Sequence, residues 1–430
     1  MNPVITPSLQ YTGTDHSKYT LDCVHCGSQY QLQEMACSND NGLLRTRYAS
    51  RRLHMHDFPG IGKFLDWLPV TAQINTPAGP VTYKSTGLAR ELGLTNLYIG
   101  FNGYWPEQGA HIQTCSFKEL EAYPTLQLMQ ESGNNKIVLA SAGNTGRAFA
   151  HAAVGTDIHV YIVVPESGIS KMWLPEEPTD NIHLISMPNT CDYADAIQMA
   201  GKIATLPGMR TEGGVRNVAR RDGMGTVMLD AAVTMGCMPD HYFQAIGSGT
   251  GGIAAWEASL RLRADGRYGE TLPRLHLIQN LPFAPILNAW QNGRRDIVEK
   301  IDMPDPKKLI DRMYADVLSN RYPPYSLPGG VYDALTDTNG AMYGISTPEA
   351  KQAKTLFEQS EGIDIVAPAA VGVAGLVKAM EEDVLNKDDF ILLNITGGGV
   401  ERLKKDFTLH HLQPEFKLDS QDIDIELIVR

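Results

Sequence analysis

Six cysteines among 430 residues are too few to staple a chain of this size, which excludes a disulfide scaffold and fits a reduced, cytoplasmic setting. Long apolar runs are missing as well. The most apolar stretch, Ile365 to Val377, is interrupted by Pro368, Gly372 and Gly375 and is too short to span a bilayer. The opening residues, MNPVITPSLQYTGTDHSK, lack the basic start and apolar core of a signal peptide. Positive charge is in deficit: 37 Lys and Arg face 49 Asp and Glu, a net charge of −12 with no basic patch of convincing length. Such a chain is expected to bind neither nucleic acid nor an anionic membrane. It has no internal repeat and no low-complexity tract.

What is present is an ordinary globular composition, 43% hydrophobic and 20% charged, long enough for two domains or more. From about residue 95, short apolar β-rich runs alternate with helical patterns. The runs predict strands at Leu97–Phe101, Lys136–Ala140, His159–Val164, His183–Ser186, Tyr242–Ile246, Leu275–Gln279, Ile363–Val366 and Phe390–Ile395. Helices are predicted at Tyr193–Leu206, Gly223–Met235, Ile253–Arg263 and Pro348–Ser360. Buried strands alternating with helices read as a parallel α/β architecture in two units. The first fifty or so residues break the pattern and read as a small appendage. A second irregular region, rich in Pro, Gly and Tyr, runs from Asn320 to Tyr343, and loops of that length are often functional.

Four separated pieces carry chemistry. Lys118, in Thr114-Cys115-Ser116-Phe117-Lys118-Glu119-Leu120, opens a helical pattern. A solvated helix lysine is the ordinary alternative. Small polar residues and Phe before it, and an apolar helix face after it, instead suggest partial removal from water. That lowers a lysine pKa as Schiff-base chemistry requires. Ser141-Ala142-Gly143-Asn144-Thr145-Gly146 lies between a strand and a helix, where backbone N–H groups and the helix N-terminus suit a carboxylate. A plain β–α turn has the same composition. Gly247-Ser248-Gly249-Thr250-Gly251-Gly252 occupies a third strand–helix junction, suited to a phosphate monoester. It formally matches a dinucleotide fingerprint, but neither Asp265 nor Glu270 stands at the strand end such a site needs. Thr396-Gly397-Gly398-Gly399, after the strand Phe390–Ile395, places a hydroxyl where a ring nitrogen could meet a neutral partner.

In this order, Ser-Phe-Lys-Glu, Ser-Ala-Gly-Asn-Thr-Gly, the Gly/Ser/Thr loop and Thr-Gly-Gly-Gly resemble the β-family, or fold type II, pyridoxal-phosphate enzymes. Asn217-Val218-Ala219-Arg220-Arg221-Asp222-Gly223-Met224-Gly225-Thr226 is similar to a stretch of threonine synthases. So is Cys23-x-x-Cys26-Gly27 with Tyr30 and Cys37. The resemblance implies two doubly wound parallel-sheet domains with pyridoxal 5'-phosphate between them, plus the N-terminal Cys-containing appendage. It assigns residues 1–50 to that appendage, 51–132 and 241–430 to the large cofactor-binding domain, and 133–240 to the smaller domain with the Asn144 loop. It further implies that Lys118 is catalytic and that Lys118, Asn144, Gly247, Ser248, Gly249, Thr250, Gly251 and Thr396 hold the cofactor. Ser141, Ala142, Gly143, Asn144 and Thr145 are then expected to bind substrate.

Departures from the threonine-synthase pattern point to a narrower branch. Glu119-Leu120-Glu121 replaces the usual Asp-Arg-Gly after the lysine, Gly398 stands where a His is usual, and Gly225 where a Lys is common. These changes are expected to lie around the substrate. The text FNGYWPEQGAHIQTCSFKELEAYPTLQ resembles a branch that converts O-phospho-L-serine and sulfite into L-cysteate and phosphate, on a route to coenzyme M. The alternatives are threonine synthesis from O-phospho-L-homoserine, a catalytically silent ligand-binding descendant, and, more distantly, a nicotinamide dehydrogenase. Arg147, Arg216, Arg220 and Arg221 are candidates for the anions by charge alone.

The expected partners are these small molecules, and a homo-oligomeric state stays open. No metal is expected. Cys23, Cys26 and Cys37 resemble half of a zinc ribbon without a fourth Cys and read as an emptied relic, with Asp40 or His25 as the alternative fourth ligand. Cys115, Cys191 and Cys237 read as small buried residues.

Overall fold

The computed structural model describes residues 18–32 and 34–418. Its larger sheet has six strands, in the order Ala341–Ile345, Arg274–Asn280, His241–Ala245, Phe390–Ile395, Asn96–Phe101 and Val81–Lys84. All pairings are parallel except the last, at the edge. The smaller sheet is wholly parallel, in the order Arg210–Thr211, Lys136–Ala140, His159–Pro165, Ile182–Met187 and Phe416–Lys417. Helices cover both faces of each, so the central strands read as continuous apolar runs rather than alternating ones.

Seven of the eight expected strands form within a residue or two of their predicted bounds. The exception is Ile363–Val366, where Ile365 makes only an isolated bridge to Gly398. The apolar stretch after it is the helix Ala367–Glu381, opened by Pro368 in its first turn and buried from Pro368 to Leu376. A helix enclosed on all sides has no polar face, so its sequence shows no 3.6-residue period. The strand Ala341–Ile345 begins inside the region expected to be irregular.

The helix Val218–Met235 starts five residues before its predicted beginning, capped by Asn217, whose side chain accepts from the Ala219 N–H. It packs against the helix Thr250–Asp265 and the edge strands of the six-stranded sheet, so it leaves the 133–240 unit for the larger one. Conversely Phe416–Lys417, placed within 241–430, joins the smaller sheet.

In the appendage, Tyr19–Cys23, Gln29–Tyr30 and Leu44–Tyr48 form a three-stranded antiparallel sheet. This appendage is knitted into the core. Thr46 and Tyr48 both donate to the buried Asp222 carboxylate, at 2.7 and 2.6 Å, and Arg45 pairs with the buried Glu257. No helix among the described residues is long and apolar enough to cross a membrane.

Candidate active site

The strands His241–Ala245 and Phe390–Ile395 are neighbours in the large sheet although far apart in sequence. Their carboxyl ends open side by side, and at such a switch point an α/β sheet leaves a crevice for ligand. A cavity of 1260 Å³ lies there. Gly247 to Gly251, Thr396, Lys118 and Ala142 to Thr145 all line it, which brings the four sequence motifs together around one cavity.

Local sequence explains each placement. Lys118 immediately precedes the helix Glu119–Glu131. The turn before it carries Cys115 at φ +52, an uncommon conformation for a residue with a side chain. Its carbonyl sits so close to Gly397 that any Cβ there would overlap it. The Phe117 N–H donates to the Thr396 carbonyl at 3.0 Å, tying the lysine turn to the Thr-Gly-Gly-Gly loop. In the Gly247–Gly251 loop, Gly249 adopts φ +86 and caps the helix Thr250–Asp265. A Cβ at Gly247 would meet the Leu318 carbonyl at 2.7 Å, and one at Gly251 would overlap the Gln244 amide. Only glycine lets that backbone pass so close to these neighbours.

The Lys118 amine lies 3.4 Å from the Glu121 carboxylate, its side chain 21% exposed and Glu121 fully buried. Burial lowers the Lys118 pKa below its ordinary value, Glu121 opposes that shift, and Arg220 adds to it. Arg220 pairs with Glu121 at 2.6 Å and with Glu212, so two carboxylates and two cations form one buried chain along the cavity. The helix carrying Arg220 approaches this closely because Gly223 packs against the Leu120 carbonyl, where a Cβ would overlap.

Several expectations fall differently. Ser141 does not line the cavity; its buried hydroxyl accepts from the Gly143 and Gly146 N–H groups at 2.9 and 2.8 Å and braces the loop. Arg147 donates to the Thr114 and Lys171 carbonyls and to Asn144 Oδ1, and stacks over Trp173, so its bonds are spent on structure. With its oxygen engaged by Arg147, Asn144 keeps its amide N–H groups for other partners. Arg221 is buried against Glu257, away from the cavity, whereas Arg216 and Arg220 line it.

Of the departures from the threonine-synthase pattern, neither Gly225 nor Gly398 faces the cavity. Gly225 packs on Ala254 and Ala258, and a Cβ at Gly398 would meet the Asp364 carbonyl at 2.6 Å. Glu119 turns away to Thr114 and His151, leaving Glu121 as the changed residue that touches the lysine.

Arg321 and Gln244, unmarked in the sequence, also line the cavity. Arg321 comes from the Pro/Tyr-rich loop whose length alone hinted at function. Gln244, bonded to Tyr242 at 2.6 Å inside an otherwise apolar strand, had no signal beyond being polar in a buried run. Three buried polar atoms on the cavity residues have no partner: Thr396 Oγ1, Arg220 Nε and Arg321 Nε. An orphaned hydroxyl beside the lysine and an open glycine cradle at a helix N-terminus fit the ring nitrogen and phosphate of pyridoxal phosphate.

The Glu119 side of the lysine turn sets a pH dependence. Burial alone would lower the His151 pKa, but Glu119 and Glu176 raise it to about 10. A histidine raised on folding contributes stability that is full below its unfolded pKa near 6.5 and is lost as pH rises through 10. Unfolding free energy is therefore expected to fall by a few kcal/mol between about pH 6.5 and 10. In His151→Gln that slope should flatten in urea titrations across the range, and an unchanged slope would remove the pair from this role.

The chain matches the family model "Pyridoxal-phosphate dependent enzyme" over residues 83–397. It is 63% identical over 410 residues to the cysteate synthase of Methanosarcina acetivorans, covering 95% of this chain and 99% of that protein. It is 54% identical to that of Methanocella arvoryzae, covering 99% and 98%. Among solved structures it resembles diaminopropionate ammonia lyase from Escherichia coli, with a TM-score of 0.55 at 18% identity, covering 77% of this chain and 87% of that one. A pyridoxal 5'-phosphate-dependent aspartate racemase gives 0.56 at 14%, covering 75% and 90%; these likenesses show the fold alone. With four chemical motifs lining one cavity and identity running nearly end to end, the chain belongs to the cysteate synthases, a family of pyridoxal-phosphate dependent enzymes.

Proposed function

We propose that this enzyme makes L-cysteate by β-replacement, taking O-phospho-L-serine and sulfite and releasing phosphate. The observation that carries the reading is that one cavity is lined by a desolvated lysine and by Arg216, Arg220 and Arg321, the last two each keeping an unpartnered Nε although their terminal nitrogens pair with carboxylates. Phosphoserine and sulfite are both anions, and a chain of net charge −12 needs local positive charge to receive them.

Pyridoxal phosphate, when bound, supplies an electron sink that stabilises negative charge at the substrate α-carbon. Lys118 would hold it, the Gly247–Gly251 amides with Ser248 and Thr250 would take its phosphate, and the Thr396 hydroxyl would face its ring nitrogen. A neutral hydroxyl leaves that nitrogen unprotonated, which favours replacement at the β-carbon over transamination. Ala142, Asn144 and Thr145, at the start of the helix Asn144–Ala153, would receive the substrate carboxylate through backbone N–H groups and the helix dipole, while the Gly143 N–H stays with Ser141. Freed when the substrate amine takes its place, the Lys118 amine would accept the α-proton and later return it. Between these transfers the β-carbon–oxygen bond breaks, phosphate leaves with the electron pair, and the sulfite sulfur lone pair forms the new carbon–sulfur bond. Arg220, Arg216 and Arg321, which line the cavity, would meet both anions.

The test offers phosphoserine and phosphohomoserine separately, with and without sulfite, and follows phosphate release and amino-acid products by mass spectrometry. Phosphoserine with sulfite is expected to yield cysteate, and phosphohomoserine little or no threonine. Robust threonine production with no sulfite-dependent product would overturn the assignment and leave the fold and cofactor standing.

A further inference from the structure

Two turns of the N-terminal appendage, Cys23 to Cys26 and Cys37 to Gly42, face each other. Cys23 Sγ lies 3.5 and 3.6 Å from the two Asp40 carboxylate oxygens, and the Cys26 and Cys37 sulfurs are 3.5 Å apart. One ligand atom from each of the four residues falls within 4.8 Å of the others. The sulfurs are too far apart for a disulfide, whose S–S bond is about 2.05 Å. A tetrahedral zinc ion, with Zn–S about 2.3 Å and Zn–O about 2.0–2.2 Å, requires S···S of about 3.8 Å and S···O of about 3.5 Å. The Cys23–Asp40 and Cys26–Cys37 pairs stand close to those separations, and the other pairs lie within 4.8 Å.

We propose that Cys23, Cys26, Cys37 and Asp40 bind one zinc ion, with the carboxylate in the place of the fourth cysteine. The surroundings are those of a ligand set held in position. The His25 and Asn39 backbone N–H groups each donate to a sulfur, of Cys23 and Cys37, at 3.4 Å. Gly27, at φ +72, closes the first turn. Asp40 accepts from the Gly42 N–H at 2.8 Å, and its other oxygen meets His25 Nδ1 at 2.9 Å, an outer partner of the kind that orients a metal-bound carboxylate. Four protein ligands leave no open position, so the ion is structural rather than catalytic.

The site bears on the cavity through its second turn. Asn41 accepts from Arg216 at its backbone and side-chain oxygens, at 3.2 and 2.9 Å. Met35 packs so closely on Gly213 that a Cβ there would meet its sulfur at 2.5 Å. Met35, Gly213 and Arg216 all line the cavity, so the ion would order part of its rim without touching the reacting atoms.

The test measures metal in full-length holoprotein purified without chelator, by elemental analysis and by dye-detected release on adding a mercurial thiol reagent. About one zinc per chain is expected, falling below about a tenth in Cys26→Ser and in Asp40→Ala and unchanged in Cys237→Ser. Cobalt exchanged into the wild type should show thiolate charge-transfer and tetrahedral visible bands. Cys26 is exposed, so its substitution leaves the core intact, and circular dichroism checks this. The wild-type metal count and cobalt spectrum stand even where a variant fails to fold. A wild-type protein that stays metal-free after incubation with excess zinc under reducing conditions overturns the proposal. So does zinc retained in both Cys26→Ser and Asp40→Ala. Neither result depends on which substrates the enzyme uses.

Discussion

Lys118→Ala is expected to lose the visible absorbance of the bound cofactor and to slow phosphate release from phosphoserine by at least about 10³-fold, the scale of a missing acid–base group. The wild type should take up one reducible cofactor per chain on borohydride treatment, and the variant none. The fold should survive the change. Glu121, the carboxylate beside the amine, would still be paired with Arg220 at 2.6 Å, so no buried charge is abandoned. Equal far-UV circular dichroism with a melting temperature near that of wild type checks this. Near-normal turnover in the variant would show that a different group moves the proton.

The second large effect concerns Arg220. Its guanidinium bridges Glu121 and Glu212, whose side chains are 0% and 14% exposed. Arg220→Met would strand the first carboxylate with only Lys118 and the second with no cation. Removing one partner of a buried ion pair costs about 3–5 kcal/mol, because the remaining charge stays desolvated. Urea unfolding is expected to show a loss of that order. Arg220→Lys should recover only part of it, since a point charge cannot span two carboxylates as the planar fork does. In protein that remains folded, the apparent KM for the anionic substrates should rise, because the unpartnered Nε–H on the cavity wall is gone. A loss below about 1 kcal/mol, the range of an exposed pair, would mean that water reaches this network.

The two changes separate what could be read along the chain from what could not. The lysine, the three glycine loops and most strands were legible because each is a local device. A phosphate cradle needs consecutive small residues before a helix, and a doubly covered strand needs a short continuous apolar run. The buried helix Ala367–Glu381 was not legible, because uniform burial erases the period that marks a helix. Nor could the departures at Gly225 and Gly398 be placed. They adjoin recognisable motifs, yet their α-carbons face a neighbouring helix and a carbonyl rather than the cavity.

By itself, then, the order of residues determined the α/β class and the cofactor and proposed the positions that would meet it, because those depend on spacings of a few residues. Only the tertiary structure decided which charges matter. Of four arginines chosen by charge, Arg147 is consumed by carbonyls and Arg221 by Glu257, while Arg220 and Arg216 reach the cavity, joined by Arg321 from a loop about a hundred residues away. It also decided that Asp40 joins three cysteines. The reason is physical: electrostatic and coordination partners are chosen by distances of a few ångströms across the fold, and no local pattern records them.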